Sequence, residues 1–275
     1  MKNNHEFRPK KSLGQHFLKD IGIVQEIINK ARFDPTDRVL EIGPGLGALT
    51  LLLAREVYHI IAVEKDSRLA DILNKRLSDE KIDNVFLINE DILKLDFNRV
   101  PSLHEGNFVV IGNLPYNISS PILEKLVENR QMVNRAVLML QSELAGRLIA
   151  NPGTKAFGAM TVFIQYHAHV APLLHVPKEA FRPRPKVDSM VLEMDFQRPY
   201  PERTEDDVHF RRVVKGAFAQ RRKTLINSLK NSFVSCSREE ILSALEKCDM
   251  DPKRRAETLT IGDFLRLSSA LKAVS

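Results

Sequence analysis

The chain has 275 residues, 43 % of them hydrophobic, and a formal net charge of +6. That is ample for one large α/β domain plus a smaller unit. The apolar stretch at residues 49–54 is interrupted by Thr50 and far too short to cross a bilayer. The polar, basic first 20 residues lack the apolar segment of a secretory signal, so no membrane association and a cytoplasmic location are expected. Cys236 and Cys248 stand in no metal-ligand spacing; they read as reduced, structural thiols, and no metal is expected.

From residue 38 onward, short β-branched runs alternate with helical patterns, the signature of a parallel sheet covered by helices. In chain order the strands are expected at residues 38–42, 60–64, 85–89, 108–112, 136–140 and 187–194, with helices at 46–54, 67–77, 121–128 and 141–150. A doubly wound sheet follows, and in such sheets ligands bind beyond the carboxyl ends of the strands. The segment Gln197-Arg198-Pro199-Tyr200-Pro201-Glu202 is rich in turn formers, and helical signals take over after it. A boundary there divides the chain into residues 1–197 and 198–275. Thr260 and Asp263 read as a modified capping box opening a last helix through Leu271. Charge follows the same division: residues 1–20 carry net +3 and residues 198–275 net +5, whereas the 177 residues between them carry −2. A near-neutral body flanked by basic segments suits a polyanion bound across one surface.

The run Val39-Leu40-Glu41-Ile42-Gly43-Pro44-Gly45-Leu46-Gly47-Ala48 is a strand feeding a glycine turn and a helix, where glycines let the backbone approach a ligand. Glu64 lies at the end of the next strand, 21 positions after Gly43, where a carboxylate can accept both hydroxyls of a ribose. Asp91 offers an acceptor for an adenine amine, or an N-cap for a short helix at Ile92. Together these features point to an adenosine-containing cofactor, although Gly43, Gly45 and Ala48 also satisfy the pattern of NAD enzymes. The segment Asn113-Leu114-Pro115-Tyr116 follows the fourth strand. An adenine N6 is a poor nucleophile because its lone pair is delocalised, so attack on a sulfonium methyl needs geometric and electrostatic help. The Asn113 side-chain oxygen and a carbonyl near Leu114 can accept the N6 hydrogens, while Tyr116 stacks on the purine. Orientation of this kind supplies about 7–11 kcal/mol of a barrier without a strong base.

Four segments resemble a known family: Lys11-Ser12-Leu13-Gly14-Gln15-His16-Phe17-Leu18, Glu41 to Gly47, Gly112 to Pro121, and Phe181-Arg182-Pro183-Arg184-Pro185-Lys186-Val187-Asp188-Ser189. Their order and combination identify the chain as similar to the ribosomal RNA adenine N6,N6-dimethyltransferases that modify small-subunit RNA. The resemblance implies a Rossmann-like class I methyltransferase sheet with a small C-terminal helical domain, S-adenosyl-L-methionine as cofactor, and dimethylation of two adjacent adenosines in a hairpin loop near the 3′ end of 16S rRNA. It further implies that His16, Leu18, Gly43, Gly45, Glu64, Asp91 and Asn113 contact the cofactor. Many relatives carry Asn at the position of His16. Asn113, Leu114, Pro115, Tyr116 and Phe181 would form the catalytic set, with Phe181 sandwiching the target adenine against Tyr116.

In the C-terminal segment Arg211, Arg212, Lys215, Arg221, Arg222 and Lys223 form a basic cluster suited to phosphate contacts, with Arg221, Arg222 and Lys223 as the RNA-binding expectation. Nothing demands an obligate protein partner, so a monomer is expected. Rival readings are methylation of large-subunit RNA or of DNA adenine, a non-enzymatic ribosome assembly factor, and an NAD oxidoreductase.

Overall fold

The computed structural model describes residues 14–100 and 107–273. The chain forms two compact units. One runs to Ala145 and resumes over Ala171–Gln197; the other takes Gly146–Val170 together with the chain from Arg198 onward. The units divide at 197/198, and residues 146–170 belong with the C-terminal unit rather than with the sheet. The reason is packing: Phe157, Val162 and Tyr166 are buried in one apolar cluster with Phe210, Leu229, Phe233 and Phe264.

The first unit begins with a two-residue strand, β1 (Phe17–Leu18), and a helix, α1 (Ile21–Ala31). The periodicity of α1 is plain, although no helix is predicted here. Val24, Ile27, Ile28 and Ala31 are its buried residues, spaced to fall on one helical face. Asp20 caps its first turn by accepting from Ile23 N, and Arg32 closes it in a left-handed conformation at φ 50°. There follow β2 (Arg38–Ile42), α2 (Thr50–Leu53), β3 (His59–Val63), α3 (Ser67–Asp79), β4 (Val85–Ile88), β5 (Phe108–Asn113), α4 (Ser119–Glu128), β6 (Val133–Gln141) and α5 (Ser142–Leu148). The helix expected at 46–54 shrinks to α2. Gly43, Gly45 and Gly47 all have positive φ, at 68°, 60° and 82°, and a regular right-handed helix cannot start until that turn is complete.

After α6 (Ala159–His167) come β7 (His169–Val176), β8 (Phe181–Arg182) and β9 (Ser189–Asp195). Seven of the strands form one sheet in the order β4-β3-β2-β5-β6-β9-β7. Pairings from β4 through β6 are parallel, whereas β9 runs antiparallel to β6. This is the doubly wound α/β sheet expected, with one strand unforeseen. β7 carries Pro172 and lies at the sheet edge, the place where a residue without a backbone N–H is tolerated. β1 and β8 pair antiparallel as a separate ribbon, Leu18 opposite Phe181. β2 and β5 approach so closely that a Cβ on Gly112 would stand 2.8 Å from the carbonyl oxygen of Ile42, so only glycine fits there.

The second unit is helical, with α6 joined by α7 (Asp207–Phe218), α8 (Leu225–Ser232), α9 (Arg238–Lys247) and α10 (Ile261–Lys272). The capping box opens α10 as read from the sequence: Asp263 N donates to Thr260 Oγ1 at 3.1 Å and Thr260 N to Asp263 Oδ2 at 2.9 Å. Tyr166 anchors the unit. Fully buried, it donates its hydroxyl to Asp207 at 3.1 Å, accepts from Thr204 N at 3.0 Å and stacks beneath the Arg203 guanidinium. Among the described residues no helix is long and apolar enough to cross a membrane.

Candidate active site

The strand order reverses between β2 and β5, which opens a crevice at the carboxyl ends of the strands. One cavity there is lined both by Gly43, Gly45, Glu64 and Asp91, which follow β2, β3 and β4, and by Asn113, Leu114, Pro115 and Tyr116 at and after the end of β5. His16 and Leu18 of the N-terminal segment close it. Ten of the sequence-predicted residues therefore meet in one place; Phe181 and the basic trio Arg221, Arg222 and Lys223 do not.

On the glycine side, Glu64 is 6 % exposed. Its Oε2 accepts from Gly45 N at 3.1 Å and its Oε1 from Asp66 N at 2.8 Å, so the carboxylate already fixes the turn whose backbone faces the cavity. Burial, opposed by those N–H groups, holds its pKa above the ordinary carboxylate value. Asp91 is bound by Lys65 Nζ at 2.8 Å and accepts from Leu93 N at 3.0 Å; the lysine bond above all lowers its pKa. Asp91 thus caps a turn, as one reading expects, and lines the cavity, as the other does.

Glu41 lies outside the site residues that the motifs pick out, although a carboxylate inside the otherwise apolar Val39-Leu40-Glu41-Ile42 is a signal the sequence carries. It is 1 % exposed and lines the cavity, and its Oε2 has no hydrogen-bond partner among the protein groups. Burial, opposed by the Thr50 hydroxyl and reinforced by the neighbouring Glu64 charge, pushes its pKa up to about 7. An acid whose pKa is raised in the folded state destabilises the fold as it ionises. Stability should therefore fall as pH rises from about 4.5 to about 7 and level off above. Glu41→Gln is expected to flatten that slope and to stabilise the ligand-free protein above pH 7 by about 3 kcal/mol, read from urea unfolding across pH. An unaltered pH slope would place the titration on another group.

On the other side, Asn113 Nδ2 donates to the carbonyl of His16 at 2.8 Å. That bond orients the amide and leaves its oxygen as the acceptor. The His16 ring donates from Nδ1 to the Pro183 carbonyl at 2.7 Å and lies over Tyr116, centroids 5.5 Å apart and planes inclined by 26°. Pro115 O is engaged by Ile118 N at 3.1 Å and Ser119 Oγ at 3.0 Å, closing the turn into α4. The Tyr116 hydroxyl meets Ser189 Oγ at 3.0 Å, and burial raises its pKa.

Phe181 lies in the core. Its ring is 2 % exposed and packs in the core with Leu18, Val176, Ala180 and Val191; it is not part of the cavity wall. Pairing of Phe181 with Leu18 in the β1–β8 ribbon draws the residue inward, and it is His16 that lies against Tyr116. Within the helical unit, Arg221 is exposed but also bonded internally. Its guanidinium donates to the carbonyls of Lys155 and Phe157 and lies 3.9 Å from Glu257, tying the 146–170 segment to the C-terminal helices. Arg222 and Lys223 are exposed.

A doubly wound sheet whose switch point joins a glycine turn, a buried carboxylate on the next strand end and an Asn-Leu-Pro-Tyr segment has the architecture of a class I methyltransferase. The model of the ribosomal RNA adenine dimethylase family matches residues 6–272, and the chain belongs to that family. It is 47 % identical over 263 residues to the ribosomal RNA small subunit methyltransferase A of Desulforapulum autotrophicum, covering 95 % of this chain and 92 % of the relative. It is 42 % identical over 269 residues to the protein of the same description from Geobacter metallireducens, covering 97 % of each. Among solved structures it resembles a dimethyladenosine transferase from Plasmodium falciparum, with a TM-score of 0.78 and 30 % identity over 91 % of this chain and 95 % of that one. The 23S rRNA methyltransferase ErmE is also similar, with a TM-score of 0.69 and 25 % identity over 93 % and 99 % of the two chains.

The protein is thus an rRNA adenine dimethyltransferase, and S-adenosylmethionine is its methyl donor. The cavity fits that group on its own terms. A buried carboxylate oxygen without a partner, on Glu41, suits a cationic ligand, and the carboxylates of Glu64 and Asp91 suit the hydroxyls and amine of an adenosine.

Proposed function

We propose that this protein dimethylates the N6 of two adjacent adenosines in a hairpin loop near the 3′ end of 16S rRNA, acting as a monomer on the assembling small subunit in the cytoplasm. The observation that carries the reading is the Asn113 amide, held by His16 beside the Tyr116 ring in a cavity that also presents adenosine-binding carboxylates. The relatives described as small-subunit enzymes, at 47 % and 42 % identity, favour that substrate over large-subunit RNA, whose methylase is 25 % identical.

When bound, S-adenosylmethionine supplies an electrophilic methyl group on a sulfonium. The protein's part is orientation. Gly43, Gly45, Glu64 and Asp91 hold the adenosine portion, and Glu41 meets its positive charge. Asn113 Oδ1 and the Leu114 carbonyl accept the two N6 hydrogens of the target base, which draws the nitrogen lone pair out of the ring and towards the methyl group. Tyr116 carries the base by stacking, a contact worth about 1–3 kcal/mol per base. No strong base is required, because the nitrogen becomes acidic only after it has accepted the methyl.

The test is transfer of labelled methyl from S-adenosylmethionine to unmethylated small subunits, with large subunits and duplex DNA in parallel and the product bases identified. Dimethyladenosine confined to small-subunit RNA is expected. Tight binding without transfer would leave an assembly factor as the better reading. For the RNA surface, the double variant Arg222→Ala, Lys223→Ala should weaken binding and reduce the slope of log affinity against log salt by about 1 to 2. A salt slope equal to that of the unaltered protein would move the phosphate contacts elsewhere.

A further inference from the structure

The segment from Phe181 to Ser189 ends in Asp188-Ser189, beside the cavity-lining Tyr116. Ser189 is fully buried, opens β9 and is paired with Gln141 across the β6–β9 ladder, so its backbone belongs to the rigid sheet. Its hydroxyl nevertheless reaches the cavity-lining Tyr116, with the two oxygens 3.0 Å apart. Asp188 is fixed from several sides. Its carbonyl accepts from Ser142 N at 3.0 Å, its Oδ1 accepts from Lys178 N at 3.0 Å and its Oδ2 lies 3.4 Å from His175 Nε2. The serine is thus mounted on a braced strand end, while Tyr116 sits in the turn after β5.

The Tyr116 ring therefore has two restraints. His16 lies over its face, and Ser189 holds its far end. A tyrosine ring has two soft torsions, and fixing the para oxygen removes the swing of the ring about its Cβ. We propose that Ser189 is a positioning residue for methyl transfer: through its hydrogen bond to the Tyr116 hydroxyl it fixes the long axis of the ring on which the target adenine stacks, while His16 lies over the ring's face. Ser189 touches neither donor nor base; it acts through Tyr116. The inference rests on the reading of Tyr116 as the base platform.

A double-mutant cycle tests it, using Ser189→Ala, Tyr116→Phe, the double variant and, separately, Tyr116→Ala. Each is assayed for single-turnover transfer to small subunits at saturating donor, for donor affinity by equilibrium binding and for unfolding midpoint. Removing the bond from either side should slow transfer about threefold to tenfold, the range of one net hydrogen bond, with donor affinity unchanged. The double variant should be no slower than the slower single one, because the same bond is lost once. Independent, multiplying losses in the double variant, or a Ser189→Ala protein as fast as the original, would overturn the proposal. Tyr116→Phe reports on the same bond should Ser189→Ala prove unstable. Tyr116→Ala separates the two levels: if it transfers at the original rate the platform reading itself fails, whereas a large loss there beside a fully active Ser189→Ala rejects only the positioning role.

Discussion

Replacing Asn113 by Ala is expected to lower turnover about 10²- to 10³-fold, the usual consequence of deleting one polar group that acts mainly in the transition state. Two losses coincide in this variant. The acceptor for an N6 hydrogen disappears, and so does the 2.8 Å tether from Nδ2 to the His16 carbonyl, which keeps the N-terminal segment against the cavity. The tether is one partly exposed hydrogen bond and contributes about 1 kcal/mol to stability, so the unfolding midpoint should move little while the rate collapses. Single-turnover transfer at saturating donor is the measurement, with the midpoint as control. Turnover near that of the unaltered protein would remove Asn113 from the chemistry.

Phe181→Ala should act in the opposite manner. With the ring 2 % exposed among Leu18, Val176, Ala180 and Val191, its deletion leaves a cavity and costs about 3–5 kcal/mol. The loss should appear directly in the urea midpoint. Any fall in transfer should follow from unfolding and be recovered at lower temperature. A protein of normal stability that binds donor yet fails to transfer would return the ring to the base site, and with it the expectation drawn from the sequence.

These two residues differ in how much of their setting is legible in the sequence. Asn113 was legible because it follows a strand with a glycine before it and a proline behind it, and a doubly wound sheet places such residues at the switch point whatever the details of packing. Glu64 and Asp91 are legible for the same reason, one and three residues beyond the ends of β3 and β4. Phe181 lies in the two-residue ribbon β8, too short to leave a periodic pattern, and its direction depends on pairing with Leu18, more than 160 positions away in the chain.

Arg221 illustrates the same limit for charge. Sequence placed it in a basic cluster but carried no sign that its guanidinium caps the carbonyls of Lys155 and Phe157. Residues 146–170 follow the strands of the sheet in order, so chain order groups them with it. Burial of Phe157, Val162 and Tyr166 against the C-terminal helices is a long-range preference that local periodicity does not encode.

What the sequence determined by itself is the repeating local grammar: alternating β-branched runs and amphipathic helices, a glycine turn, a capping box, and four motifs in fixed order that mark the family. Each depends on neighbours within a few positions, where backbone sterics and hydrophobic periodicity act. Tertiary structure alone decided which of those residues face one another. It brought Glu41 into the cavity as a buried carboxylate with one oxygen unpartnered, set His16 over Tyr116, and placed Ser189 at the tyrosine hydroxyl. Those relations are made by strand register and core packing between distant segments, and the free energy that selects them belongs to the assembled sheet and not to any one stretch of chain.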